Sequence, residues 1–424
     1  MLEKLVLKRV EAKMADQTGS SRNYTWLGIV ALAGLAWGTY VPVIFYGGKE
    51  LGGTEGARLT SILCVGLAYF VLAVLIPLGL FLSKRHAWPP LKTTGLVFSG
   101  LAGVMGAVGA ICVIFASKAA VNAAKSAGLQ PDSYRMLIAP LIFGLAPVIN
   151  TLVSLVWHPK PGNPWHFGLE KLPGAKLVAG IALVGLGSAL VLYSKETEEK
   201  RERAEMAAMA KVEAKGESAP TPPRDEVQYP AWEWLVFTAC AGLAWGTYVP
   251  IIFYGGQELT SKPGELGGRL MSILCVGLAY FLLAVLVPVT LMGGGMFKWP
   301  EINGSSGLLF SSLAGVAGAV GAICVIFASK AAVDAAKSEG KNPATYRIYI
   351  APIIFGVAPV INTLVSLFWH PLAGDPFHFG IRHIPGWMLW VGILSVGAGA
   401  FLVLLAKEQG EAAHAAPKPQ PAGK

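Results

Sequence analysis

Residues Trp37 to Gly48 recur at Trp245 to Gly256 with a single difference, Val43 against Ile251. Three further stretches repeat without change: Ser61 to Phe70 at Ser272 to Phe281, Val108 to Val121 at Val320 to Val333, and Ala146 to Leu155 at Ala358 to Leu367. A chain duplicated at this fidelity must build one structural unit twice. The offset between the copies grows only from 208 to 212, so the copies differ in length by small insertions in the first two loops.

What that unit can be follows from its polarity. Hydrophobic residues make up 54% of the chain and charged residues 14%, a balance that calls for lipid. A spanning helix takes about 20 apolar residues. Ten such stretches are present, near 26–46, 59–82, 95–117, 136–157, 177–193, 234–254, 270–293, 308–329, 348–369 and 387–406. The predicted fold class is therefore all-α, a polytopic membrane protein whose two repeats carry five crossings each. The units expected are an N-terminal cytoplasmic tail (1–25), a first repeat (26–194), a charged, Pro-containing linker (195–232), a second repeat (233–407) and a C-terminal tail (408–424). The first residues alternate charged and apolar types and read either as an interfacial helix or as a tail without structure.

An odd number of crossings sends the second copy into the membrane from the opposite side, which makes the repeats inverted. Loop charge agrees. With both termini cytoplasmic, in a cell membrane of the bacterial inner-membrane type, the inner short loops carry twelve Lys and Arg and the outer ones seven. Lys84 and Arg85 face a glycine run, Gly293 to Gly295, in the other copy. The linker, with nine acidic and seven basic residues between Ser194 and Pro230, would then lie outside. Were one segment of each copy not to span, the repeats would be parallel and the linker cytoplasmic.

The net charge of +9 is spread over tails and short loops rather than gathered in a stripe, so the expected partners are a small-molecule solute and the bilayer, and not nucleic acid. Oligomers are compatible with this pattern. The five cysteines all fall in apolar stretches, without metal-site spacing, and predict neither disulfide nor cofactor. His158 and His166, repeated as His370 and His378, suggest a metal less than they suggest a Gly- and Pro-rich loop. No Ser-His-Asp set or carboxylate pair lies within the apolar segments, so an enzyme is not expected.

Absence of Asp and Glu from the middle of the segments disfavours a proton-exchanging cation exporter. The candidate substrate contacts are instead aromatic, amide and cationic. Trp37 and Tyr40, with Trp245 and Tyr248, precede Pro42 and Pro250, which should kink the first helix of each copy and free a carbonyl. Packing of the bundle explains these rings equally well. Asn150 and Asn362 bring an amide into the fourth helices, to line a cavity or to join helices. Lys118 and Arg135, repeated as Lys330 and Arg347, are expected to meet at a membrane face where they would attract an anion, or else to snorkel. Gly100, Gly103, Gly106 and Gly109, with Gly315, Gly318 and Gly321, predict a close-packing surface on the third helix of each copy.

Two inverted five-helix halves, a third helix rich in small residues and an Ala-Pro step in the fourth resemble the EamA-like branch of the drug/metabolite transporter superfamily. The long third-to-fourth loop, Ala119 to Asp132, departs from it. The resemblance implies alternating access around a central cavity formed by the first four helices of each half. The expected function is transport of a small polar or anionic metabolite. A passive pore and a non-transporting scaffold are the alternatives.

Overall fold

The computed structural model describes residues 24–129, 134–160, 162–168, 174–191, 193–194, 232–260, 266–302, 305–341, 346, 349–369, 371–372, 375–380 and 386–415. Most of the linker, the N-terminal segment and Arg347 lie outside them. The described residues form ten helices: α1 (Thr25–Glu50), α2 (Glu55–Leu82), α3 (Thr93–Ser126), α4 (Arg135–Val156), α5 (Ala175–Val191), α6 (Glu233–Glu258), α7 (Gly267–Gly293), α8 (Ser306–Ser338), α9 (Ile350–Phe368) and α10 (Trp387–Ala415). Nine of them are long and apolar enough to cross a membrane, and α5 is a shorter apolar helix. Large apolar side chains face outward along these helices, among them Leu35, Val71, Leu282 and Leu309. Such a surface needs hydrocarbon around it.

Several helices outrun the expected boundaries. α3 continues to Ser126, so most of the stretch anticipated as a long loop is helical, and Lys118 and Lys330 lie two turns before the ends of their helices. The run Ala-Ala-Val-Asn-Ala-Ala-Lys-Ser favours helix strongly. It stops where Gly128 takes a φ of +70°. α10 runs to Ala415, eight residues into the expected C-terminal tail. α1 and α6 pass through Pro42 and Pro250 without a break.

Proline acts more visibly in α2 and α7. Each is α-helical at first, widens to a π-helix over Phe70–Leu75 or Phe281–Leu286, and returns to α before Leu82 or Gly293. Pro77 and Pro288 sit just beyond the wide turn. Proline supplies no N–H and its ring crowds the carbonyl four residues back, so a wider turn relieves both problems.

The halves interlock instead of folding side by side. α1 packs mainly on α8 and α9, while α6 packs mainly on α3 and α4. Matched hydrogen bonds join them, Ser99 to Ser272 at 3.0 Å and Ser311 to Ser61 at 3.1 Å. α2 and α7 cross at the centre. A Cβ on Gly66 would meet Ala284 and Val285, and one on Gly277 would meet Ala73 and Val74, so these two helices run in opposite directions. The same holds for α5 and α10, where Gly180 lies against Gly399 and Gly187 against Gly392. Glycine at each approach lets the backbones touch.

Candidate functional site

Midway along the helices, where the halves meet, lies a cavity of about 70 Å³. Its wall is aromatic and comes in matched pairs: Trp37 with Trp245, Tyr40 with Tyr248, Tyr69 with Tyr280, and Phe143 with Phe355. Of the candidate substrate contacts read from sequence, Trp37, Tyr40, Trp245 and Tyr248 line this space, Lys118, Arg135, Asn150, Lys330 and Asn362 do not, and Arg347 lies outside the described residues.

Local packing fixes each ring. The Trp37 indole N–H donates to the Gly318 carbonyl and that of Trp245 to the Gly106 carbonyl, each at 3.2 Å. A Cβ on Gly321 or Gly109 would strike the corresponding indole, so the glycine of the neighbouring helix is what admits the ring. Trp37 leans on Phe355 at 5.7 Å between centroids and Trp245 on Phe143 at 6.3 Å. Tyr40 meets Trp245 edge to face at 6.2 Å. Tyr69 and Tyr280 stack at 3.9 Å, nearly parallel. The phenol oxygen of buried Tyr40 has no partner.

The glycines of α3 serve the cavity as well as helix contact. Gly106 and Gly318 make room for the rings of Tyr280 and Tyr69, whereas Gly100 faces open space and makes no close approach. Tyr69, Tyr280, Phe143 and Phe355 were missed in sequence because no proline or polar neighbour marks them. Their signal was their place in or beside the repeated stretches.

The cations do not converge on the cavity. Lys118 bonds Glu55 at 2.5 Å, and Glu55 also pairs with Arg58, which is only 5% exposed. Arg135 donates from Nε to the Ser117 hydroxyl at 2.8 Å and lies over the Phe45 ring at 5.2 Å. Lys330 pairs with Asp334 one turn on, at 2.5 Å, on the exposed surface. Among the described residues no charged side chain lines the cavity, so they offer an anion no counter-charge there. Asn150 and Asn362 are buried among the helices beside Ile149 and Ile361, which press on Gly246 and Gly38.

The ends of the assembly carry a second matched set. Glu258, nearly fully buried at the end of α6, accepts from the Gly162 N–H at 2.9 Å and the Thr94 hydroxyl at 3.4 Å, with the Lys92 ammonium 3.9 Å away. Glu50, at the end of α1, accepts from the Ser306 hydroxyl at 2.8 Å. The loops after α4 and α9 are tight hairpins in which the Trp157 and Trp369 indoles each donate 2.7 Å to a proline carbonyl, that of Pro164 and Pro376. The His158 ring nitrogen bonds the Leu155 carbonyl at 3.0 Å. Among the described residues no three His, Cys, Asp or Glu side chains gather as a metal set.

The chain matches no family model, no curated protein and no solved structure.

Proposed function

We propose that this chain is a transporter of the cell membrane that moves a small, uncharged polar metabolite by alternating access between two inverted five-helix halves. The observation that carries this reading is the cavity itself: it lies midway through the helices and takes the same four aromatic positions from each half. Solute sites at a repeat interface near the bilayer midplane are how duplicated transporters are built. The opposite directions of α2 and α7, and of α5 and α10, favour inverted over parallel halves. α5, with 17 residues from Ala175 to Val191, reaches about 25 Å, the lower limit of a span, and serves as the fifth crossing. This reading keeps both termini cytoplasmic and the resemblance to the EamA-like branch.

Among the described residues, Glu258 holds a loop, a helix start and a lysine, and Glu50 at the matched position holds Ser306. The lining gives the anionic option no support, and the transported metabolite is taken as uncharged.

Counterflow in proteoliposomes tests the proposal. Labelled sugars, amino acids, nucleosides and neutral heteroaromatics are offered to vesicles preloaded with the unlabelled compound. A transporter shows saturable uptake that overshoots through exchange, lost on replacing Trp37 and Trp245 together by Ala and retained in Lys330→Ala. Flux that neither saturates nor overshoots would make the protein a pore, and absence of flux for every compound would remove the transport reading.

A further inference from the structure

The chemistry of the cavity wall narrows its occupant. Eight aromatic rings surround it, and among the described residues no carboxylate, amide or cationic side chain lines it. Both indole N–H groups are consumed by backbone carbonyls, and the rings of Tyr69 and Tyr280 stack on each other. What remains for a solute is a set of ring faces and edges with very few polar handles. One of those handles is conspicuous: the phenol of Tyr40, a residue 5% exposed, has no hydrogen-bond partner. A buried hydroxyl without a partner is costly, and a ligand atom that completes it recovers that cost.

Three classes of solute fit poorly. A carboxylate or phosphate would enter a space whose ring faces are themselves negative and which holds no cation. A sugar would bring several hydroxyls to a wall that can pair with few of them, and each one left dry opposes binding. An aliphatic solute could fill the volume but would forgo ring-on-ring geometry and leave the Tyr40 phenol unsatisfied.

We infer that the cavity between the halves binds a planar aromatic or heteroaromatic solute without negative charge, stacked among the paired rings and hydrogen-bonded to the Tyr40 phenol. The inference rests on the transport reading for its physiological meaning, and on the cavity alone for its chemistry. Tilted contacts of Trp37 with Phe355 and of Trp245 with Phe143, and an edge-to-face contact between Phe143 and Phe355, already hold these side chains in place, so an entering ring meets a preorganised wall.

Binding of tritiated nicotinamide to the full chain in lipid nanodiscs, with displacement by matched competitors, provides the test. Nicotinamide is neutral and planar. Nicotinate keeps the ring and adds a negative charge, cyclohexanecarboxamide keeps the amide and removes planarity, and glucose replaces the aromatic ring by a saturated one that carries several hydroxyls. The expected result is saturable nicotinamide binding, with each of the three competitors at least about tenfold weaker. Tyr40→Phe should weaken nicotinamide about three- to tenfold while leaving the melting temperature unchanged or raised. Phe143→Leu with Phe355→Leu should weaken it further without changing the rank of nicotinate.

Nicotinate or cyclohexanecarboxamide binding as tightly as nicotinamide would overturn the inference, as would glucose displacing the label or no saturable nicotinamide binding at all. A Tyr40→Phe variant with unaltered affinity would refute the assigned hydrogen bond. Failure of the transport reading looks different: nicotinamide binds as described, yet no compound shows counterflow. Conversely, counterflow of non-planar solutes without nicotinamide binding would leave transport standing and remove the aromatic solute.

Discussion

Glu55 shows how one side chain redirects a site. It sits at the start of α2, and the matched position in the other half is Leu266, so the carboxylate belongs to one copy only. There it gathers Arg58 and also Lys118, one of the basic groups expected from the sequence to attract a solute. A buried amide makes the complementary point. The Oδ1 of Asn362 has no partner among the described residues, and the side chain lies off the cavity wall. Asn362→Leu should therefore raise thermal stability in detergent, by roughly 1 kcal/mol, and leave solute affinity unchanged. A large affinity loss would return Asn362 to the site. Lys84 holds a φ of +57°, and the equivalent position in the other half is Gly295 at +76°. Keeping a lysine there costs about 1 kcal/mol of backbone strain, consistent with its use as an orienting charge. Lys84→Gly should raise the unfolding midpoint, and together with Arg85→Gly it should increase the fraction of molecules inserted the wrong way, read by a terminal reporter.

At the scale of elements, the sequence made the helices and the duplication legible because apolar runs and identical stretches are local patterns. Contacts between the interlocked halves are not local. Nothing in the spacing of α1 says that it packs on α8 and α9, since a lipid-facing and a protein-facing leucine look alike in sequence. Half of the aromatic wall could be read from the Trp-Gly-Thr-Tyr-Val-Pro motif. The other half, Tyr69, Phe143 and their counterparts, enters the cavity only through the antiparallel crossing of α2 and α7 and the burial of α4 and α9 against α6 and α1. The α3 glycines separate these effects. In Gly109→Ala the new methyl meets the Trp245 indole, so stability should fall by about 1–3 kcal/mol and binding at the cavity at least tenfold. Gly100→Ala, on the same helix and facing open space, should leave binding unchanged and gain up to about 1 kcal/mol. Equal effects of the two substitutions would mean that α3 glycines matter for helix flexibility and not for the shape of the wall.

For the whole molecule, duplication, interlocking and the mid-helix cavity form one design. Each half supplies its first helix to the other, so the halves cannot separate without unpacking both. In the proposed cycle, motion between them is tilting about the central crossing, where the paired tyrosines stack and the π-helical turns follow at once. If the halves are inverted as proposed, the two extremes of such tilting are related by the pseudo-two-fold axis in the membrane plane and open to opposite sides. Everything functional in this picture depends on that inversion. Asn163 and Asp375 occupy matched, exposed positions in the hairpins after α4 and α9. With the five native cysteines replaced, a single cysteine at each of these positions in turn can be challenged in intact cells by a thiol reagent that does not cross membranes. Inverted halves with a cytoplasmic N-terminus predict that the cysteine at 375 is labelled from outside and the one at 163 only after the membrane is opened. Labelling of both positions from the same side would contradict inversion, and with it alternating access through this cavity.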